Sequence, residues 1–301
     1  METLLTRLAA PLQAFGAEHR IKVVTTNLTP TRSALLGICR AALGHGRDDD
    51  PGDVAWLDKL RFAVRVDRRG ERLVDLHNVN PRKSPDGKLF HTPLTFSGKH
   101  FGDPSTLQTW RHYLTDASFL WLTSGEDDAL RRLRDAFASP IWQRAAGRKS
   151  CVLDAPFLLG LYSGGVLDAA HAVPVVTPSL RAQDDGDDLP GEDDVEDPTG
   201  ADALEWVTAL ADGAATSSTE TQPQDAEKGK VQYRPCDLVF LDGAVPDGIV
   251  IDRRERVLDR PLGPHPRDGY APGYHSFSTV SAPAVDGLGK LLCWASEHLH
   301  D

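Results

Sequence analysis

Residues 105–119, STLQTWRHYLTDASF, turn from polar to apolar and aromatic and lead into an apolar strand expected at residues 117–123. Just before them, residues 80–102 carry Arg82, Lys83, Lys88, His91, Lys99 and His100 against a single acid, Asp86. That run is rich in Gly and Pro and has no apolar periodicity with which to enter a core. A polar, cationic excursion that returns to a buried strand is a finger held out from a domain, and cationic fingers with aromatic roots touch phosphate. The same composition also fits an ordinary solvated surface loop.

Working outward, the N-terminal half alternates strands and helices. A strand is expected at residues 3–8, ending in a turn at Ala10 and Pro11. Residues 29–44, TPTRSALLGICRAALG, form the clearest helix. Thr29 is placed to cap it, Pro30 suits the first helical position and Gly44 the exit. Ala34, Leu35, Ile38, Ala41, Ala42 and Leu43 make its apolar face, and Gly37 allows close approach to a sheet. Residues 60–67, LRFAVRVD, alternate Leu60, Phe62, Val64 and Val66 against Arg61, Ala63 and Arg65, the pattern of a half-buried strand. A second helix spans 127–138, with Leu130, Leu133 and Phe137 inward, and a further strand spans 152–162. The order β-α-β-β-α-β, with the basic finger inserted before its third strand, is an α+β, ferredoxin-like pattern. Residues 233–242 and 270–279 read as later strands.

The formal net charge of −11 is the property of one segment. Residues 181–230 hold 15 acidic against 3 basic residues, whereas the rest of the chain holds 29 against 30. Residues 1–160 alone hold 23 basic and 18 acidic residues, so the acidic total is no objection to a nucleic-acid partner. The acidic segment has little with which to build a core. Only residues 201–211 offer a helical stripe, with Leu204, Val207 and Leu210. It reads as a flexible surface loop, or alternatively as an acidic decoy for a basic groove. The cysteines at 39, 151, 236 and 293 share no CxxC spacing and read as buried thiols of a reducing compartment. No apolar run approaches a membrane span, and residues 1–12 lack the features of a signal peptide. The expectation is a cytoplasmic chain with no membrane partner.

Catalytic signatures are absent: there is no GxGxxG, GxxxxGK, HExxH or GxSxG, and no RRM aromatic signature. No catalytic residue, metal or cofactor is expected. His77, His91, His100 and His112 fall in or beside the finger without ligand spacing. They read either as ordinary loop histidines or as the acid–base pair of a metal-independent ribonuclease. Two segments read as anion sites. In one, Pro30, Thr31, Arg32 and Ser33 bring hydroxyls and a guanidinium to a helix start, although plain capping also explains them. In the other, residues 146–150, AGRKS, set Arg148 and Lys149 beside a Gly turn, which also fits a solvated turn.

Several of these stretches together resemble one family. LAAPLQAFG at residues 8–16 resembles the RLAGPLQAWG opening of the CasD family, and PTRSALLG at 30–37 resembles its PTRSGLLG. FAVRVD at 62–67 is similar to FAVRCD, QTWRHYLTDASF at 108–119 to QTWREYLCDASF, and GRKSC at 147–151 to GRRSC. Ala10, Ala14-Phe15 and Ala34 depart from the family's Gly, Ala-Trp and Gly. The resemblance covers residues 7–162 in the family's order. It implies a RAMP-type (RRM-like) ferredoxin-like palm over residues 1–162, with a β-hairpin thumb inserted at about 75–115. A smaller C-terminal β-rich region would occupy 163–301 and contain the acidic insert at 181–230.

The function implied is that of a non-catalytic crRNA-binding and assembly subunit of a type I-E CRISPR Cascade surveillance complex. Such a subunit caps the 5′ handle of the guide RNA, contacts the adjacent backbone subunit and the large subunit, and meets target DNA only through the complex. The alternative is a metal-independent endoribonuclease that processes precursor crRNA, as in the type I-C relative. On the RNA-binding reading, Arg32, Arg40, Arg111, Arg148 and Lys149 neutralise phosphates, while Phe15, Trp110 and Tyr113 are available for base stacking. Pro30, Thr31, Ser33, Arg82, Lys83, Lys88, Lys99, Gln108 and Thr109 complete the expected set.

Overall fold

The computed structural model describes residues 1–19, 22–46, 48–79, 82–83, 89–90, 107–177, 231–241, 245–246, 249–261 and 270–300. The chain opens on β1 (Glu2–Ala9), β2 (Leu12–Gln13), β3 (Phe15–His19) and β4 (Val23–Asn27), then helix α1 (Arg32–Leu43) and a 3-10 segment, Pro51–Lys59. There follow β5 (Arg61–Arg68), β6 (Glu71–Val79), β7 (Arg82–Lys83), β8 (Leu89–Phe90), β9 (Leu107–Thr115), β10 (Ser118–Ser124) and α2 (Asp127–Ala138). β11 (Leu158–Ser163), α3 (Val166–Ala172) and β12 (Val175–Thr177) come next. The C-terminal part adds β13 (Tyr233–Phe240), β14 (Arg253–Pro261), β15 (Tyr270–Asp286), α4 (Leu288–His298) and β16 (Leu299–His300). Met1–Thr177 and Gln232–Asp301 form one compact unit. Of the second, Pro178–Val231, only Val231 is described. The acidic segment with its expected helix at 201–211, and Lys88, His91, Lys99 and His100 of the basic excursion, lie outside the described residues.

The architecture is α+β. The large sheet runs β12-β15-β13-β5-β10-β1-β11-β16, with β14 paired to β15. At its centre β1 lies between β10 and β11, and β10 lies against β5, every pair antiparallel. The C-terminal region extends this same sheet, through β13 beside β5 at one side and β16 beside β11 at the other. The boundary expected at residue 162 therefore falls inside a strand of a continuous sheet. A second sheet gathers β3, β4, β9, β2 and β6, and its longest pairing is the antiparallel hairpin of β6 on β9.

Both faces of the central strands are covered, which is why β10 reads as an unbroken apolar run. On one face, α1 and α2 bury Leu35, Ile38, Leu130, Leu133 and Phe137 against Leu4, Leu8, Phe119 and Trp121. Trp121 stands in an aromatic cluster, edge-on to Phe62 and Phe137 with centroids 5.5 Å away in each case. On the other face, Leu5, Leu120 and Leu122 pack with Val166 and Ala169 of α3 and Leu291 of α4. Among the described residues no helix is long and apolar enough to cross a membrane.

Four local expectations are corrected. The cap of α1 is Thr31, whose hydroxyl accepts from the Ala34 N–H at 3.3 Å. Thr29 is instead engaged with His275, at 3.4 Å. The strand expected at 60–67 is not half-exposed, because α3 covers its second face. There Arg65, 0 % exposed, pairs with Asp67 at 2.6 Å and donates to the carbonyls of Ala170 and Val173 at the end of α3. The strand expected from 152 begins only at Leu158. Val152 makes an isolated bridge to Ala145, and Pro156 has no N–H to give a ladder. Finally, among the described residues Gly37 meets no sheet: a Cβ built there would find no described atom within 4 Å outside its own stretch of helix.

Candidate nucleic-acid interface

The two segments read as anion sites line one groove of about 710 Å³. Thr31, Ser33, Ala34, Gly37 and Ala41 of the α1 region form one side, and Gly147, Arg148 and Lys149 the other. Residues far apart in sequence meet because the turn at 145–151 is pinned to the backbone between β2 and β3. The Ala14 N–H donates to the Ala146 carbonyl at 3.0 Å, and the turn closes on itself through Ala146 N–H to Cys151 O, 2.8 Å, and Cys151 N–H to Arg148 O, 2.8 Å. Gly147 holds a left-handed φ of 91°. A side chain there would run into the Ala14 carbonyl, so only glycine allows this approach.

Arg148 is a fixed cation. Its guanidinium lies 4.4 Å from the centre of the Tyr113 ring, and Nη2 donates to the Val24 carbonyl at 3.5 Å. Its Nη1 is buried without a partner among the described residues. Lys149 beside it is exposed. Across the groove, the Thr31 hydroxyl is shared between the helix cap and the Ser33 hydroxyl, 3.1 Å away. Helix starts present N–H groups to anions, so cations and a helix start face one space that suits phosphate oxygens.

Successive side chains of a strand point to opposite faces. Tyr113 carries Arg148, so Thr109 and Arg111 share the face that continues from the groove. Arg111 is half-buried there and its Nε has no partner among the described residues. Trp110, 38 % exposed, is on the opposite face, in register with Leu76. Gln108 is exposed on that same opposite face.

Other expected residues do not join the groove. Phe15 is 0 % exposed and packs edge-on to Phe119 with centroids 6.1 Å apart, so it serves the core and offers no ring to a base. Tyr113 is likewise buried beneath Arg148. Pro30 is buried ahead of the cap. Arg32 turns the other way, donating to the Asp58 carbonyl at 3.0 Å with its guanidinium 5.0 Å from the Phe62 ring centre. Arg40 is exposed on α1 and is not among the residues lining this groove. Arg82 and Lys83 lie in β7, paired with β8. Lys88 and Lys99 are outside the described residues.

Trp142 and Gln143, not singled out from the sequence, also line the groove. The available signal was an aromatic between a helix end and a cationic Gly turn, with no periodic apolar partner. Histidines supply no acid–base pair on β6 and β9. His77 is in register with Thr109 while His112 is in register with Val74, three residues away, so the two project from opposite faces. His77 Nε2 lies 2.6 Å from a carboxylate oxygen of Asp75.

A second groove, of about 550 Å³, lies on the other face of β9 and includes His112 and Arg72. Two of its cations are matched by acids: Asp237 accepts from Arg69 at 2.8 Å and from Arg253 at 3.3 Å, and Glu255 accepts from Arg253 at 3.0 Å. Arg253 also lies over the Phe277 ring, 3.9 Å from its centre. Partial burial opposes its charge, but the bonds to Glu255 and Asp237 outweigh this and raise its pKa.

The model of the CRISPR-associated protein (Cas_Cas5) family matches residues 3–215. The chain is 39% identical over 162 residues to the CRISPR system Cascade subunit CasD of Escherichia coli (strain K12), covering 52% of this chain and 70% of that protein. Among solved structures, it is similar to a chain of a CRISPR RNA-guided surveillance complex, with a TM-score of 0.61 and 23% identity over 98% of this chain and 99% of the other. A crystal structure of a Cas protein is similar at a TM-score of 0.51 and 23% identity, covering 93% and 95% of the two chains.

Proposed function

The chain belongs to the CRISPR-associated Cas5 family, and from that premise we propose that it is the crRNA-binding and assembly subunit of a type I-E Cascade complex. It caps the 5′ handle of the guide RNA, contacts the adjacent backbone subunit and the large subunit, meets target DNA only through the complex, and works in the cytoplasm. The observation that carries this reading is the convergence of the α1 start with Arg148 and Lys149 in one groove. An anchored guanidinium, an exposed ammonium and a helix start grip a strand by its phosphates without needing its sequence.

We read residues 1–162 as a ferredoxin-like palm. Support comes from the central strand order β5-β10-β1-β11, all antiparallel, with α1 and α2 on one face. The hairpin of β6 and β9 is its thumb, inserted at about 75–115, and residues 163–301 are the C-terminal β-rich region. Val74, Leu76 and Trp110 leave an exposed apolar strip on one face of that thumb, suited to a neighbouring subunit. The role is non-catalytic. With His77 and His112 on opposite faces, the described hairpin offers no histidine pair for strand cleavage.

The test is reconstitution. The chain is co-expressed with the host's other complex subunits and its repeat RNA, as wild type and with Arg148→Ala and Lys149→Ala combined. The wild type should assemble with the processed guide, and the double variant should lose the guide while remaining folded. Incubating the purified chain with labelled repeat RNA, without metal, should leave the RNA intact. A defined cut would favour the endoribonuclease.

A further inference from the structure

The groove's own shape points to what it takes besides phosphate. Trp142 is 47% exposed, which is unusual for so large an apolar side chain, and it lines the groove. Its place is fixed by the backbone. The Ile141 and Trp142 N–H groups donate to Ala42 and Ala41 at 3.0 and 3.1 Å, and a Cβ added at Gly46 would lie 3.5 Å from the ring edge. The neighbouring side of α1 presents Ala34, Gly37 and Ala41, so the helix surface beside the indole is nearly bare.

Gly37 sits mid-helix, where glycine weakens a helix relative to alanine. Nothing among the described residues explains it: its φ is not left-handed, and outside its own stretch of helix a Cβ would meet no described atom within 4 Å. Gly16, on the opposite wall, is the same on both counts. The described residues leave the room beside these glycines open. A rigid aromatic face, a clear space beside it and cations at one end fit a nucleotide whose base has left the stack.

Resting on the RNA-binding reading above, we infer that Trp142 is the stacking platform for one base of the bound strand. Arg148 and Lys149 hold phosphate of the same strand, and Gly37 and Gly16 give the base its clearance. Trp142 is a positioning residue for the RNA, and no chemistry is asked of it.

The test uses the full-length chain and a labelled single-stranded RNA of the host repeat. A companion series of the same RNA carries one abasic position at a time. Trp142→Ala should weaken binding roughly 5- to 150-fold with the salt slope unchanged, and Trp142→Phe should restore most of it. Melting should be unaffected, because the side chain is half exposed. The penalty of Trp142→Ala should vanish for the RNA lacking one particular base. If Trp142→Ala binds as wild type while Arg148→Ala loses affinity, the platform is overturned and the RNA reading stands. If both variants bind as wild type, the RNA reading fails and takes the platform with it. A penalty equal for every abasic RNA, or a lowered melting temperature, makes Trp142 a structural support and overturns the proposal. So does unchanged RNA binding with loss of another complex subunit, which would assign the groove to a protein segment.

Discussion

The two grooves flanking β9 are built from similar parts and differ in how their cations are used. Around the second, Arg69 and Arg253 both reach Asp237, and Arg253 also reaches Glu255. Around the first, Arg148 rests on a ring and a carbonyl, neither of which cancels its charge, and one of its nitrogens has no partner among the described residues. A count of basic residues would favour the second groove, lined by Arg69, Arg72 and Arg253, over the first, lined by Arg148 and Lys149. Pairing separates them, since a guanidinium held by carboxylates has little left for a phosphate.

The comparison breaks most completely if the first groove is dismantled, and Gly147→Ala should do that. The added Cβ meets the Ala14 carbonyl, and the residue must also hold a left-handed backbone. Chemical denaturation should show a loss of about 3 kcal/mol, and RNA binding should fall with it as Arg148 and Lys149 move. Unchanged stability would mean that the turn is free to shift, and that the convergence of the two anion segments is not held by Gly147.

Removing the cation alone should be milder. Arg148→Ala should cost about 1.5–3 kcal/mol of RNA affinity, as for a hydrogen bond to a charged group, and lower the salt slope by about 0.7. Arg148→Lys should keep the slope and lose part of the affinity, because an ammonium does not stack on Tyr113 as a planar guanidinium does. Asp237→Asn sharpens the contrast from the other side. With the shared acid neutralised, Arg69 becomes available while Arg253 keeps Glu255, and the salt slope should steepen by up to about 0.7 for the one phosphate gained. Filter binding over a salt series reads all three variants. An unchanged slope for Asp237→Asn would show that pairing is not what keeps the second groove silent.

What the sequence made legible was local. Periodicity placed α1, α2 and β5, and apolar runs placed β1, β10 and, begun six residues early, β11. Composition marked residues 30–33 and 146–150, because hydroxyls and cations beside a helix start or Gly turn carry their own meaning. Convergence was not legible: it rests on the hydrogen bond from Ala14 to Ala146 and on the close approach at Gly147. Nor was the second layer, since α3 is only seven residues long and nothing in LRFAVRVD shows that Arg65 finds a helix end to bind. β15 was read as far as residue 279 but runs to Asp286, past Pro283, a residue that ordinarily argues against a strand. The resemblance to the CasD family supplied what periodicity lacked, a reason to expect both anion segments on one RNA.

The smallest expected effect on binding tests side-chain direction. Arg32 and Arg148 both belong to segments that line the first groove, and the sequence ranks them as equal phosphate ligands. In the structure Arg32 leaves the groove for the Asp58 carbonyl and the Phe62 ring, so it helps hold α1 to the end of the 3-10 segment and the start of β5. Arg32→Ala should therefore leave RNA affinity and salt slope as they are. It should lower stability by about 1 kcal/mol, the worth of one hydrogen bond with a cation–π contact. Arg32→Lys should recover little of this, since an ammonium lacks the planar fork that serves the carbonyl and the ring together. A fall in salt slope of about 0.7 with unchanged stability would show instead that Arg32 swings into the groove when RNA is present. That outcome would make the α1 start a cationic wall in its own right, and the distinction between paired and available cations would then describe only the RNA-free chain.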